Sequence, residues 1–292
     1  MWGAIWRRIP VGPQAILIGV AVSSAVAAPW MVMVAANFSL WPRVPWCLPL
    51  MAIYLWGCWR YLGGWGGPGS TSAARRQLLR AGPLPPVLWG WSLLSQVLAG
   101  ATLAAVSQVL RRFFTGELVP TWFAHLSGIP TPTVMAAFVM ISIVAGVSEE
   151  AAWRGYAQTW LRRRYSPVTS ITVVALVFTL AHYASYGRMP LILFAMLMAI
   201  SLSYGWVAHL SGSILPGVVL HTIGDAFSMI FGWWSRRGVG GPVRVPLLRE
   251  TGVDAHFVAS GAAALVFAAA CLWSFRRLAR AARRHAASPE RP

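Results

Sequence analysis

The chain of 292 residues is 57% hydrophobic and only 11% charged, and its mean hydropathy of +0.61 lies beyond what a soluble globular domain of ordinary composition reaches. A formal net charge of +17 would suit nucleic acid in a soluble protein, but here the arginines flank apolar runs and read as topology signals. Composition therefore excludes an ordinary soluble domain and predicts an all-α, polytopic transmembrane bundle.

A helix needs about 20 mostly apolar residues to cross the hydrocarbon. Eight such runs are expected, at 13–37, 44–62, 85–110, 133–160, 167–187, 189–208, 213–234 and 255–275. The first follows Arg7 and Arg8 and contains SSAVAAPW, which superficially resembles a secretory signal with a cleavage site near Ala27. Its apolar run continues through Met33 and Ala36, longer than a signal core, and reads as an uncleaved anchor. Cys47 and Cys58 on the second run would lie about 16 Å apart along one helix, too far to bridge, and with Cys271 they form no metal-binding spacing. Tyr61 to Pro86 is the longest loop-like stretch, with SAARRQLLR as a short basic piece suited to the headgroup plane. After the last run, RRLARAARRHAASPERP reads as a basic tail touching anionic lipid. Segments facing the side of the N-terminus hold fifteen arginines against eight opposite, so both termini are expected in the cytoplasm. All 24 basic residues are arginine, a usage expected of a GC-rich bacterial genome and hence of a bacterial plasma membrane.

Three acids and two histidines stand out inside or at the ends of these runs: Glu149, Glu150, Asp225, His182 and His221. Each charged group at a bilayer centre costs at least about 2.5 to 3.5 kcal/mol on insertion scales, so together they argue for a shared polar site. In VSEEAAWRGYAQ, Glu150 and Arg154 are four residues apart and stack on one helical face, whereas Glu149 points about 100° away. Glu150 with Arg154 then suits a neutralised supporting pair, and Glu149 is left to act on water. In FTLAHYA, Phe178 stands four before His182 and can pack beside the imidazole. In HTIGDAF, His221 and Asp225 are again four apart and aim at one point. A carboxylate base, histidines that orient or donate, and a group for an oxyanion are what water-mediated amide hydrolysis requires.

These residues resemble the motifs of the CPBP (ABI) family of intramembrane proteases, which includes the type II CAAX prenyl endopeptidases. Glu149, Glu150 and Arg154 look like its first motif, Phe178 and His182 its second, and His221 and Asp225 its last. The resemblance covers Gly146 to Phe227. It implies a helical bundle, and the chain is read as one structural unit with N-terminal helices and a basic loop (1–132), a catalytic CPBP-like core (133–235) and a final loop, helix and tail (236–292). It also implies endoproteolysis of a membrane-associated peptide or protein, with Glu149 and His182 activating water and His221 with Asp225 stabilising the oxyanion. Family members are described both as metalloproteases and as metal-independent glutamate proteases, so the resemblance leaves open a zinc on His182, His221 and Glu149 or no metal at all. Asp225 departs from the Asn that members often carry. An ionised Asp only accepts hydrogen bonds, so it acts here as a protonated donor, a metal ligand or an orienter of His221. The alternative is a non-catalytic peptide-binding, immunity or scaffold membrane protein with the same fold; a proton- or ion-conducting bundle is the third reading.

Overall fold

The structure, a computed structural model, describes residues 6, 8–114, 126, 128–186, 191–236 and 245–287. Arg7, Arg188, Arg237, Arg244 and Arg291, which enter the charge count, and Glu117 and His125 lie outside the described residues. Every regular element among those described is helical. In chain order they are α1 (Val11–Leu40), α2 (Cys47–Leu62), α3 (Gly69–Leu79), α4 (Pro86–Leu110), α5 (Thr131–Glu149), a π-helix (Glu150–Ala157) and α6 (Gln158–Leu161). They continue with α7 (Pro167–Tyr186), α8 (Leu191–Ser211), α9 (Leu215–Arg236), α10 (Leu248–Thr251) and α11 (Ala255–Ala287). Among the described residues, six segments are long and apolar enough to cross a membrane: Val11–Leu40, Pro86–Leu110, Thr131–Leu161, Leu191–Ser211, Leu215–Trp234 and Ala255–Ala287. The other two expected spans are also helices but shorter in apolar length. Residues Pro167–His182 form the apolar section of α7, and α2 has 16 residues, about 24 Å at 1.5 Å per residue.

Two compact units make up the chain: 1–82 with 121–174 and 217–235, and 83–120 with 175–216 and 236–292. In the first, α1 runs unbroken past Ala27 and carries Pro29 inside the helix. Proline has no N–H, so the carbonyl of Ala25 loses its partner. In hydrocarbon no water replaces it. The Tyr54 hydroxyl on α2 donates to the Ala25 carbonyl at 2.6 Å, which satisfies the freed acceptor and clasps α1 to α2. Tyr54→Phe is expected to lower stability by about 1 kcal/mol, read as a reduced melting temperature in detergent.

The turn from α1 to α2 is tied by Asn37, which is fully buried. Its amide donates to the Trp41 and Val44 carbonyls at 3.0 and 2.9 Å, and its oxygen accepts the Cys47 N–H at 3.1 Å. The basic piece SAARRQLLR forms α3, but Arg75 does not reach for headgroups. It is buried, donates to the carbonyls of Tyr61, Gly66 and Pro68, and lies 4.2 Å from the Tyr61 ring. Loop carbonyls with no helical partner need donors, and one guanidinium supplies several. Leu126, Val134, Phe138 and Trp233 form an apolar core in this unit.

In the second unit Leu88, Val207 and Leu278 pack between α4, α8 and α11. The Ser203 hydroxyl donates to Gln96 Oε1 at 2.8 Å, the kind of interhelical polar contact that membrane helices use. Helix α11 continues through Ala287, so most of the expected basic tail is a helical extension of the last span. Within it Arg277 sits over the rings of Trp91 and Trp273 at 5.2 and 5.8 Å. Arg112 holds Asp254 at 2.8 Å, and the Phe257 N–H with the Arg112 guanidinium keeps the Asp254 carboxyl below the ordinary carboxylate range. A depressed carboxylate contributes stability above its unfolded value and loses it as pH falls through the folded one. Thermal scans from pH 6 downward are therefore expected to show Asp254→Asn approaching the unsubstituted protein only in acid.

Candidate active site

The apolar run of α5 ends at Glu149, and the helix then widens into a π-helix whose eight residues, Glu150–Ala157, are all buried. A π-helix of more than one turn is rare and marks functional segments. Trp153 packs against α1 at Gly19, where an added Cβ would come within 2.8 Å of the indole. The Tyr156 hydroxyl donates to the Leu62 carbonyl at 2.8 Å. Both aromatics of the motif therefore pack, as their sequence context suggests. Just beyond, Trp160 Nε1 donates to Gln14 Oε1 at 2.9 Å. The N-terminal span thus braces the charged segment over two turns.

Helix α9 delivers the histidine. Ser213 Oγ accepts the Leu215 N–H at 3.3 Å at the helix start, after Gly212 has taken a positive φ of 82° that β-carbon-bearing residues avoid. Where α9 passes α5, Gly146 faces Val218 and Thr222: a Cβ there would meet the Val218 carbonyl at 2.9 Å and overlap the Thr222 hydroxyl. The backbones approach because Gly146 has no side chain, and this closeness brings His221 to the glutamates.

Glu149, Glu150, Arg154, His221 and Asp225 are brought together. Arg154 Nη1 lies 3.1 Å from Glu150 Oε1, with both side chains essentially inaccessible. The same Glu150 oxygen is 3.0 Å from His221 Nδ1. On the other edge of the ring, His221 Nε2 is 3.5 Å from Glu149 Oε2 and 3.5 Å from Asp225 Oδ2. Exposure grades across the group: the Glu150 side chain is at 0%, Glu149 at 19% and Asp225 at 34%. The dry side of the imidazole is thus held by Glu150, and the accessible side carries Glu149 and Asp225.

The pairing of Glu150 with Arg154 follows the four-residue spacing. The separation of the two glutamates does not follow helix geometry in the simple way. Successive residues on a regular helix aim about 100° apart, yet here both reach one imidazole. The change from α- to π-helix falls between them, and the ring is gripped at Nδ1 by one and faced at Nε2 by the other. Glu150 is consequently more than a counter-ion for Arg154.

His182 and Phe178 fall in the other unit. Their rings stack obliquely with centroids 4.3 Å apart, and His182 Nδ1 is 2.9 Å from the Phe178 carbonyl oxygen. A carbonyl only accepts, so Nδ1 carries the proton in that contact and the neutral ring has its lone pair on Nε2. Cys47, Cys58 and Cys271 are free thiols. The described residues contain no group of three or more His, Cys, Asp or Glu side chains placed to hold a metal ion.

Gly146 and Gly217 are the site residues that the charged motifs do not announce. At Gly217 an added Cβ would lie 2.6 Å from Glu150 Oε2. Each glycine precedes a residue of the cluster by one turn, Gly146 before Glu149 and Glu150, and Gly217 before His221. Small residues at that spacing are the sequence signal of a close helix crossing.

The fold and cluster define a helical membrane bundle with an interior carboxylate–histidine site. Residues 131–227 match the type II CAAX prenyl endopeptidase family described as Rce1-like, a match consistent with a CPBP-type intramembrane protease. At the level of the family this supports an intramembrane endopeptidase. The match ends at Phe227, where the motif resemblance also ends, and begins at 131, taking in the whole of α5. No curated protein and no solved structure matches the chain.

Proposed function

We propose that the protein is an integral membrane endopeptidase that hydrolyses a peptide bond near the membrane-associated end of its substrate, with Glu149 as the base that activates water. The observation that carries this reading is the position of Glu149. It is the glutamate whose side chain keeps partial exposure while its Oε2 lies beside His221 Nε2, and Glu150 is fully enclosed. A general base must reach the proton it removes. Glu149 takes a proton from water as the oxygen attacks the scissile carbonyl, His182 orients that water, and His221 with Asp225 faces the resulting oxyanion. The proton then passes to the leaving amine. The membrane is a bacterial plasma membrane with both termini cytoplasmic. Peptide pheromones, bacteriocin-like leaders and C-terminal sorting tails are the substrate classes that follow.

Comparing new peptide termini in membranes that carry or lack the protein tests the reading: a set of termini dependent on the protein is expected, and the absence of any would sink it. Asp225→Asn is expected to retain hydrolysis, because Asn donates a hydrogen bond to an oxyanion as a protonated Asp does. Loss of turnover together with bound metal in that variant would instead assign Asp225 as a metal ligand. The route written here uses side chains alone; a zinc on His182, His221 and Glu149 is the alternative that the family resemblance leaves open. Turnover that persists in a strong zinc chelator supports this route, and turnover restored only by added zinc would assign His182, His221 and Glu149 as its ligands.

A further inference from the structure

The geometry points to Glu150 as the positioning residue of the site: confined by Arg154 and Gly217, it fixes His221 with the proton on Nδ1 and turns Nε2 toward the reacting side. This inference rests on the protease reading for its kinetic consequence but not for its structural content.

The argument starts from the acceptor. An ionised carboxylate oxygen accepts hydrogen bonds and donates none, so at 3.0 Å from Glu150 Oε1 the Nδ1 of His221 is the donor. Nε2 is then the nitrogen that faces Glu149 and Asp225, and it meets an oxyanion as a donor when the ring carries its second proton. A histidine whose far nitrogen is held by a carboxylate has its tautomer and its ring plane set from behind, as in the hydrolytic triads.

Glu150 is itself held from two directions. Arg154 Nη1 approaches the same oxygen at 3.1 Å, drawing Oε1 to a point shared by guanidinium and imidazole. The other oxygen, Oε2, occupies the space that a side chain on Gly217 would fill. Gly217 lies four residues before His221 on α9, so one helix supplies both the imidazole and the gap that admits its partner's carboxylate. Glu150 is fully enclosed, and its effect on the reaction passes through His221.

Labelling the histidine rings with nitrogen-15 in the membrane-reconstituted full chain tests this, with the His221 signals identified by their loss in His221→Gln. A protonated Nδ1 on His221 is expected in the unsubstituted protein. Glu150→Gln, which keeps an acceptor oxygen but leaves Arg154 without its counter-charge, is expected to accumulate less and to preserve that signature in the folded fraction, whereas Glu150→Ala loses the signature. Gly217→Ala leaves every polar group of the cluster in place and displaces Oε2. It is expected to lower kcat about 10- to 100-fold, the scale of an ångström-level misplacement, with KM little changed and the Nδ1 signal shifted. An unprotonated Nδ1 in the unsubstituted protein overturns the assignment, as does a folded Gly217→Ala with unaltered kcat and nitrogen shifts. If Gly217→Ala or either Glu150 variant does not accumulate, the unsubstituted spectrum decides. The nitrogen signals report the tautomer whether or not hydrolysis occurs. A protonated Nδ1 with no turnover therefore removes the protease reading and leaves the positioning assignment standing.

Discussion

Glu149→Gln is expected to lower kcat by about 10²- to 10⁴-fold, the usual contribution of a positioned general base, equivalent to about 2.7 to 5.4 kcal/mol at 1.36 kcal/mol per tenfold. The exchange keeps the shape of the side chain and removes only its capacity to take a proton. It leaves the buried ion pair between Glu150 and Arg154 intact and acts on the partly accessible member of the cluster. Accumulation in membranes and a monodisperse profile in detergent are therefore expected to be unchanged. This separation of turnover from folding distinguishes an enzyme from a membrane scaffold built on the same helices. Undiminished processing by Glu149→Gln would move the chemistry to another group and restore the non-catalytic alternative. The comparison is best made on purified protein with a peptide identified from the termini experiment, so that kcat and KM are read apart.

The charged residues of the site were legible because lipid makes them conspicuous. An acid in an apolar run is costly enough to demand an explanation, and spacing by four placed Glu150 with Arg154 and His221 with Asp225. What helix periodicity could not show was the crossing. His221 reaches the glutamates because Gly146 lets α9 come close to α5, and glycine at a single position does not say which helix will fill the gap. The π-helix was equally hidden. Its aromatic residues pack on Gly19 and Leu62, which are distant in sequence and outside the matched family segment. The bundle itself followed from composition, yet α2 turned out shorter than its apolar run suggests, since Trp41 to Trp46 are consumed in the turn that Asn37 ties. Arg75 shows the limit of reading charge as topology. Its place is set by carbonyls of the α2–α3 loop, and nothing local in SAARRQLLR separates it from the exposed Arg76.

Arg154→Met should be the most damaging exchange for the fold itself. Arg154 and Glu150 are both at 0% exposure, and removal of one partner from a buried ion pair costs about 3 to 5 kcal/mol because the other charge remains in a dry setting. That removes a large share of a typical folding margin of about 5 to 15 kcal/mol, so loss of most membrane-accumulated protein is the expected result by quantitative immunoblot. The second exchange separates charge from shape. Replacing a whole buried pair by apolar residues of similar volume is often neutral, so Arg154→Met combined with Glu150→Leu is expected to regain accumulation. Turnover should not return with it, because His221 Nδ1 then faces a side chain that accepts nothing. A double variant that accumulates and also hydrolyses at the original rate would show that the pair serves only to balance charge. One that accumulates without turnover ties the charge compensation of α5 to the orientation of the histidine on α9, through a single carboxylate oxygen that both use.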